Sequence, residues 1–456
     1  MTIAREIAEY AVSLEFNRLP GSVVHAAERS ILDTFGCAIG AFRERPVEIA
    51  RNVASQATSE KGASVIGTGA KTLPELAAFA NGTASRYFDF MDAYENKEFS
   101  HPSDNIFPVI AVAEAMRKSG RDVILGTVLA YEVQCRLVDA ANLWKRGWDH
   151  VVYGLVSVSA AASRMLDLDA EKTEQAINIA LSSHITMRQV RVGELSMWKA
   201  VSFANAARNA VFAASLAQRG MTGPSPIFEG RMGLWSQVTG KFALDVEKFG
   251  GNGKSRDFKI SHTIFKYYPA ENRGQSAIGA ALEARKKLES VDEIESIVVG
   301  TPEASLRVIA DPEKWNPTTR ETADHSLPYM VAAALVYGKI DNGSYDEKRF
   351  RDSRILGLMK KIKVVENKEF TRIYPRCMPN EIDIRLKNGR LIRERMLYQK
   401  GHPRNPMSDR ELEAKFRSLT SRYLNDGKIS LLLETLWHLK RLKSLGELFD
   451  IIGKLG

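Results

Sequence analysis

The stretch Ser159-Ala160-Ala161-Ala162-Ser163 lies within a helical pattern that runs from residue 156 to 168. Apolar residues recur there at spacings of three and four, as expected for one face of a helix. Because small side chains let helix backbones approach closely, the stretch predicts a helix packed inside a large bundle. The same spacing predicts further helices at 26–42, 74–90, 106–118, 126–141 and 199–219.

The pattern changes near residue 255, where β-branched runs begin to alternate with helical ones. Asn388-Gly389 is a strong turn signal for a β-hairpin. Strands are predicted at 258–265, 294–301, 381–386 and 391–397, and helices at 274–288, 326–337, 354–365, 409–419 and 430–455. The predicted fold is therefore mostly α: a large all-helical domain of residues 1–256 and 404–456, with a smaller α+β lid domain of residues 257–403 inserted into it.

Length, hydropathy and charge bound the class of protein. A chain of 456 residues exceeds what one core normally holds, so two domains are expected. No apolar run reaches about eighteen residues and acidic residues interrupt the first ten, so we expect a cytoplasmic protein that does not enter a membrane. The net charge of +9 suits small anionic substrates. Basic residues are interspersed with acidic ones, and we expect no nucleic-acid partner.

Three scattered cysteines, Cys37, Cys135 and Cys377, predict neither a disulfide framework nor a metal site. An iron–sulfur hydro-lyase would normally show clustered cysteine ligands, so any dehydration here would run on side chains. Histidine pairs with metal-ligand spacing are absent from the sequence, and residues 250–255 lack the first glycine of a phosphate loop. We therefore expect no metal and no cofactor.

The segment Tyr87-Phe88-Asp89-Phe90-Met91-Asp92, followed by His101-Pro102-Ser103-Asp104-Asn105, is the strongest candidate for chemistry. A carboxylate and an imidazole in one pocket can divide the base and acid roles of an elimination or isomerisation. Asp89 and His101 are twelve residues apart, so a turn must bring them together. The polar residues also suit helix caps around a surface loop, and spacing alone leaves both interpretations open.

Four further residues have two interpretations each. His150 and His325 each follow an aspartate at a predicted helix start, where a capping or turn role is plausible. Lys199 begins a helix with small neighbours, so its ammonium can either enter a cavity or reach solvent. Arg273 can hold a carboxylate bidentately or pair with Glu271.

Taken together, these residues resemble the MmgE/PrpD family over nearly the whole chain. The likeness is carried by residues 89–92 through 101–104, 147–150, 198–199 with 205–207, 323–329 and the ending at 400–407. The resemblance implies a metal-free fold with a large helical domain, an α+β lid, an active site between them and usually a homodimer. Members include a 2-methylcitrate dehydratase, a cis-aconitate decarboxylase and an iminodisuccinate epimerase, which share proton transfer at a carbon next to a carboxylate.

Carried over by residue, the resemblance implies a pocket with the catalytic residues Asp89, His101, His150, Lys199 and Tyr329, and with the substrate-binding residues Ser103, Lys266, Arg273, Gln275 and His325. His101 is expected to carry the proton, with Asp89 orienting or charging it. Lys199 and Arg273 are expected to hold substrate carboxylates. Tyr329 is expected to protonate a leaving group or an enolate oxygen.

Departures from the family pattern bear on the substrate. Residues 89–93 read Asp-Phe-Met-Asp-Ala where many members have Asp-Phe-Asp-Asp-Thr, and Arg273 stands near a place where the lid often carries a histidine. Gln275 and residues 149–151 are more similar to the methylcitrate dehydratase branch. The expected activity is a cofactor-free hydro-lyase of a small 2-methylcitrate-like tricarboxylate. The alternatives are an epimerase or decarboxylase of a related acid, and a catalytically silent carboxylate-binding protein.

Overall fold

The computed structural model describes residues 1–253 and 255–456, so Lys254 of the predicted 250–255 connection lies outside the described residues. Nine helices are described before residue 254: α1 (Ile3–Ser13), α2 (Gly21–Gly40), α3 (Arg45–Ala54), α4 (Pro74–Arg86), α5 (Ile106–Ala115), α6 (Gly120–Ala140), α7 (Val152–Met165), α8 (Ala170–Ser183) and α9 (Trp198–Gln218). Five short strands accompany them: β1 (Ala63–Ser64), β2 (Lys71–Thr72), β3 (Asp92–Glu95), β4 (Phe99–Ser100) and, after the gap, β5 (Ile264–Phe265).

Small residues allow the central helices to pack closely, as the alanine-rich stretches predict. Helix α9 packs against α4, α7 and α8. A Cβ at Gly154 of α7 would lie 2.5 Å from the Phe203 ring of α9, and one at Gly82 of α4 would lie 3.3 Å from the Cβ of Ala204. Larger side chains at these two glycines would push the helices apart.

The second half of the chain builds a four-stranded sheet with helices. Its strands are β6 (Ile294–Thr301), β7 (Ile362–Glu366), β8 (Asn380–Leu386) and β9 (Leu391–Met396), in the order β7-β6-β8-β9. Only the β6–β7 pair is parallel, and the hairpin pairs Ile384 with Ile392. The helices are α10 (Gln275–Arg285), α11 (Glu303–Ile309), α12 (Arg320–Ala323), α13 (Leu327–Tyr337), α14 (Glu347–Phe350), α15 (Ser353–Met359) and α16 (Lys368–Ile373).

The chain then returns to the helical bundle through α17 (Asp409–Thr420), α18 (Asp426–Trp437) and α19 (Gly446–Ile452). Helices α17 and α18 both pack on α2. One hydrophobic core collects buried side chains from residues 3–265 and 407–455, and a second collects them from residues 270–392. The mostly α fold class with a smaller α+β part is therefore confirmed, while the domain limits at 257 and 403 stay a prediction. Within the described residues, no helix is both long and apolar enough to cross a membrane.

Three predicted elements differ in the structure. The strand at 258–265 is mostly a 3-10 turn, Lys259–His262, with only Ile264–Phe265 extended. The helix at 354–365 ends at Met359, because the β-branched run that follows pairs with β6 instead. The helix predicted at 430–455 is divided into α18, which ends at Trp437, and α19, which begins at Gly446, with a 3-10 turn at Leu439–Arg441 between them.

Candidate active site

A small cavity of about 30 Å³ lies where the two cores meet. A larger hollow of about 500 Å³ around Leu181 and Met232 is mainly apolar and has one arginine, Arg231, in its lining. The small cavity differs because charged and imidazole side chains dominate its wall. They are Arg86, Asp89, His101, His150, Arg188, Arg191, Lys266, Glu271, Arg273 and His325, together with Phe99 and Val308.

The turn after α4 places Asp89 in this cavity. The helix ends at Arg86, and Asp89 adopts a left-handed backbone conformation with φ of 50° before β3 begins at Asp92. Aspartate tolerates this conformation better than most residues do. As a result Arg86 Nη1 donates to Asp89 Oδ1 at 2.6 Å. The predicted turn between Asp89 and His101 is the hairpin of β3 and β4, which pairs Tyr94 with Ser100.

Three buried cations surround the Asp89 carboxylate. Lys266 Nζ donates to the Asp89 carbonyl at 2.9 Å and also to its Oδ1, and Lys199 Nζ lies 3.2 Å from Oδ2. Burial alone would raise the pKa of Asp89, but Arg86, Lys266 and Lys199 outweigh burial and hold that pKa well below its usual range. Asp89 is therefore ionised throughout the neutral range.

Lys199 also joins Asp89 to the lid. Its Nζ lies 3.0 Å from Asp324 Oδ1 and 3.2 Å from His325 Nδ1, and His325 Nε2 lies 3.5 Å from Asp89 Oδ2. Burial first, and Lys199 second, lower the pKa of His325. This cluster sits just before α13, whose first turn is capped by Ser326.

Asp89, Asp324 and His325 offer ligand atoms within 4.8 Å of one another, a spacing that would admit a metal ion. The ammonium of Lys199 already contacts Asp89 and Asp324. A metal ion would have to displace this charge from between the two carboxylates, so the donor set fits an ammonium better than a metal.

His101 is held in one tautomer. Its Nδ1 lies 2.7 Å from the carbonyl oxygen of Asp92. A carbonyl only accepts, so Nδ1 carries the hydrogen and Nε2 keeps its lone pair. Nε2 lies 3.8 Å from Asp89 Oδ1. Burial, Arg86 and Lys266 lower the pKa of His101 well below its usual value, so the ring is neutral and able to accept a proton.

His150 faces His101 across the cavity, with ring centroids 5.8 Å apart. It is only 2% exposed, and its Nδ1 lies 3.2 Å from Asp149 Oδ1, but neither ring nitrogen has a partner in hydrogen-bond geometry among the described residues. Burial lowers the pKa of His150 to about 3, so this ring is also neutral. Two unsatisfied polar atoms in a buried ring indicate a place for a polar ligand.

Two arginines that the sequence analysis missed stand beside His150. Arg188 Nη1 and Arg191 Nε lie 3.3 Å and 3.2 Å from the same oxygen of Asp149. Both belong to a short 3-10 turn, Arg188–Arg191, after α8. Two guanidinium groups sharing one carboxylate leave a net positive charge, which suits a substrate carboxylate. In the sequence, only the spacing Arg-x-x-Arg marks these two residues. That spacing is too common on protein surfaces to predict a binding site.

Arg273 ties the lid to the helical part. Its Nη2 lies 2.9 Å from Glu95 Oε1 on β3, and its Nη1 lies 2.7 Å from Glu271 Oε1. The hydroxyl of Tyr374 also donates to Glu95. The guanidinium lines the cavity while two protein carboxylates already balance its charge. The predicted pairing with Glu271 is present, and the link to Glu95 adds a contact between the two parts.

The structure brings most of the predicted site residues together. Asp89, His101, His150, Lys266, Arg273 and His325 line the cavity, and Lys199 contacts Asp89 from behind. Ser103 lies outside the lining and donates both its backbone N–H and its hydroxyl to Asp92.

Two predicted residues are placed elsewhere. Gln275 uses its side-chain amide on the backbone of Tyr268, accepting at 3.1 Å and donating at 2.8 Å. Tyr329 is buried in the second core, where its hydroxyl donates to the Ser344 carbonyl at 2.6 Å. This placement gives neither residue access to the cavity wall, because helix α13 turns the Tyr329 side chain toward the lid interior.

Two family models match the chain. The model for the MmgE/PrpD N-terminal domain matches residues 5–247, and that for the MmgE/PrpD C-terminal domain matches residues 268–439. A mitochondrial 2-methylcitrate dehydratase from Yarrowia lipolytica is 30% identical over 426 residues, covering 88% of this chain and 80% of that protein.

Two other relatives have similar identity. A 2-methylcitrate dehydratase from Salmonella typhimurium is 28% identical over 429 residues, covering 88% of this chain and 86% of that protein. A cis-aconitate decarboxylase from Homo sapiens is 27% identical over 474 residues, covering 99% of this chain and 94% of that protein.

Proposed function

Because the chain belongs to the MmgE/PrpD family, we propose that it is a cofactor-free hydro-lyase that removes water from a small tricarboxylate such as 2-methylcitrate. The relatives named 2-methylcitrate dehydratase support this substrate class. The charges around the cavity support it independently, since cations from both parts of the chain converge on one small space.

The observation that carries the proposal is the fixed tautomer of His101. Its Nδ1–H donates to the Asp92 carbonyl, which leaves Nε2 as a neutral base in the small cavity. Nε2 takes the proton from the carbon next to a substrate carboxylate. The imidazolium that forms lies 3.8 Å from Asp89 Oδ1, a carboxylate already ionised. Asp89 stabilises that charge without itself being protonated.

The enolate and the leaving hydroxide need the opposite charge. Arg188 and Arg191 share a single carboxylate, so they bind a substrate carboxylate and disperse the enolate charge. Burial lowers the pKa of Lys266, which makes its ammonium a proton donor to the departing hydroxide. Lys266 takes the role that the sequence analysis gave to Tyr329. His150 donates or accepts a hydrogen bond with the substrate hydroxyl.

The cavity must enlarge to admit such a substrate. Its volume is about 30 Å³, whereas pockets for small molecules have roughly 300–1,000 Å³. The wall is built from both cores, so separation of the helical part from the lid opens it. We expect substrate to enter an open form and the present structure to represent the closed one.

A decarboxylase is the second candidate, because the match to the human cis-aconitate decarboxylase spans 99% of this chain. The same cations would then stabilise an enolate formed by loss of carbon dioxide. The carbanion would then take its proton from the ammonium of Lys266, since the His101 ring is neutral. The family resemblance also implies a homodimer, which sedimentation velocity measures directly.

Proton NMR in deuterium oxide tests the proposal with 2-methylcitrate, citrate, cis-aconitate and iminodisuccinate supplied separately. We expect alkene signals from 2-methylcitrate, and their loss in His101→Asn. His438→Asn is the matched control, because Nδ1 of His438 also lies on a backbone carbonyl, Glu434 O at 2.9 Å, but on an exposed helix end. Carbon dioxide release from cis-aconitate, with no reaction of the other three acids, would favour the decarboxylase. Deuterium incorporation into a substrate, without an alkene product or carbon dioxide, would favour an epimerase. Silence from all four acids would contradict the proposal.

A further inference from the structure

We propose that Lys415 is a positioning residue that holds Asp89 and Lys266 in their reacting arrangement through the main chain. The inference rests on the proposed function, since it assigns a residue outside the cavity to the same reaction. Lys415 lies on α17, in the part of the chain that returns to the bundle after the lid. It lines a different cavity from the one that contains Asp89.

The contacts of Lys415 Nζ are with two backbone segments and one acid. The ammonium donates to the Phe90 carbonyl at 2.5 Å and to the Lys266 carbonyl at 3.0 Å. Asp33 Oδ1 lies 2.8 Å away. The side chain is 6% exposed, so all three ammonium hydrogens have a protein acceptor inside the fold.

The two carbonyls adjoin the chemistry directly. Phe90 follows Asp89, whose φ of 50° turns its carboxylate toward Arg86. The second carbonyl belongs to Lys266 itself, whose own ammonium donates to Asp89. The β3–β5 ladder begins only at Asp92 and ends at Phe265, so neither carbonyl has a strand partner. Lys415 supplies the cross-link that the ladder does not.

The cross-link requires an ammonium. Methionine, of similar length, has no donor, and glutamine has two hydrogens on a shorter stem. The buried charge is balanced by Asp33 on α2, in the first core. The Lys415 ammonium also lies 3.8 Å from the centroid of the Phe90 ring. This cation–π contact further stabilises the ammonium in its position. Loss of the ammonium therefore removes the hydrogen bonds to the Phe90 and Lys266 carbonyls at the same time, so both backbone segments become free to move.

The neighbouring cavity makes the ammonium replaceable. Lys415 lines a cleft of about 520 Å³ between α17 and lid residues such as Lys339 and Asp341. A small primary ammonium ion can enter this cleft and occupy the volume of the missing Lys415 head group. Tetramethylammonium has the same charge but no N–H donor, which makes it the matched control.

The test is steady-state kinetics of Lys415→Ala with and without methylammonium. We expect kcat to fall about 30- to 100-fold, as for small misplacements of catalytic groups, while KM changes less than about threefold. Methylammonium should raise the kcat of Lys415→Ala at least tenfold, and tetramethylammonium should not. Arg417→Ala, on an exposed part of the same helix, should leave kcat unchanged. A wild-type kcat in Lys415→Ala, or equal rescue by both ions, would overturn the proposal.

Histidine NMR gives a readout that needs no turnover. In protein labelled with ¹⁵N at histidine, Lys415→Ala should move the ring resonances of His101 and His325, which flank Asp89, and leave that of His438 in place. If these resonances stay unchanged in folded Lys415→Ala, the positioning role is wrong even where no substrate has been found. If Lys415→Ala does not fold, Lys415→Arg keeps the charge and N–H donors and is expected to retain over a tenth of wild-type kcat. A kcat of Lys415→Arg as low as that of Asp89→Asn would also contradict the inference.

Discussion

The two sides of the cavity differ in how their polar atoms are satisfied. On one side Asp89 accepts hydrogen bonds from Arg86 and Lys266 and contacts Lys199. On the other side His150 has two ring nitrogens without a hydrogen-bond partner in the described part of the chain. The first side is assembled before substrate arrives, because its charged groups already contact one another. The second side is completed only when a polar ligand enters.

The largest effect should come from breaking the assembled side with Asp89→Asn. Arg86 and Lys266 lose their counter-charge while Lys199 keeps Asp324, and removal of one partner from a buried ion pair costs about 3–5 kcal/mol. The neutral side chain also cannot stabilise an imidazolium at His101, so kcat should fall at least a thousandfold. Urea unfolding and NMR turnover measure the two effects.

Asp167→Asn is the control for that experiment. Asp167 also has a left-handed φ, 55°, and pairs with a lysine, but its side chain is 69% exposed. Surface pairs contribute about 0–1 kcal/mol. A loss of stability in Asp89→Asn no larger than in Asp167→Asn would show that the assembled side is not a stabilising cluster.

The next largest effect should come from His150→Asn, on the unsatisfied side. Activity should fall about a hundredfold in kcat/KM, because the substrate loses a hydrogen-bond partner. The free energy of unfolding at pH 7 should change by less than about 1 kcal/mol, since no protein hydrogen bond is removed. Steady-state kinetics and urea unfolding of the same preparation measure the loss of activity and the change in stability. A stability loss near that of Asp89→Asn would erase the contrast between the two sides.

The most gradual effect, which is spread over several pH units, concerns a neutral acid behind the assembled side. Asp104 Oδ2 lies 3.8 Å from Arg86 Nε, and neither atom has a hydrogen-bond partner within residues 1–253 and 255–456. Burial raises the pKa of Asp104 to about 7. The folded carboxyl keeps its proton to about pH 7 while the unfolded one loses it near pH 4. Its contribution to stability is therefore full below pH 4 and is lost as pH rises through 7.

Asp104→Asn tests this pH dependence, because asparagine carries no titrating proton. Relative to wild type, the variant should gain up to about 1.4 kcal/mol of stability for each pH unit between 4 and 7. Urea unfolding at pH 4, 5, 6, 7 and 8 measures the difference. A difference independent of pH would mean that Asp104 is ionised in the fold and that the assembled side contains one more charge.

Sequence patterns predicted most of the fold because helix periodicity and the Asn388-Gly389 turn are local signals. The alanine-rich helices and the hairpin of β8 and β9 appear as predicted. The error at 354–365 has a tertiary cause, because parallel pairing of β7 with β6 decided the second half of that segment. No local pattern contains that pairing.

The site was predicted in part. Asp89, His101 and His150 were expected from blocks of contiguous sequence, and they line one cavity. Arg188 and Arg191 were missed, since their importance depends on a distant Asp149 that a linear reading cannot place beside them. Tyr329 was expected in the pocket because the family resemblance of residues 323–329 implies it there. A helix turns successive side chains about its axis, so neighbours in sequence need not share a cavity.

The burial of His101 has a consequence for isotopes. A proton taken by His101 from substrate carbon remains on a side chain that is only 2% exposed until the two parts separate. During that interval the hydrogen has no bulk deuterium oxide with which to exchange, so it can return to the carbon it left. Substrate recovered before the reaction is complete should then retain its own hydrogen. An exchange measurement would therefore miss proton abstractions that are reversed before the two parts separate. Isotope washout thus reports the lifetime of the closed state rather than the rate of proton abstraction.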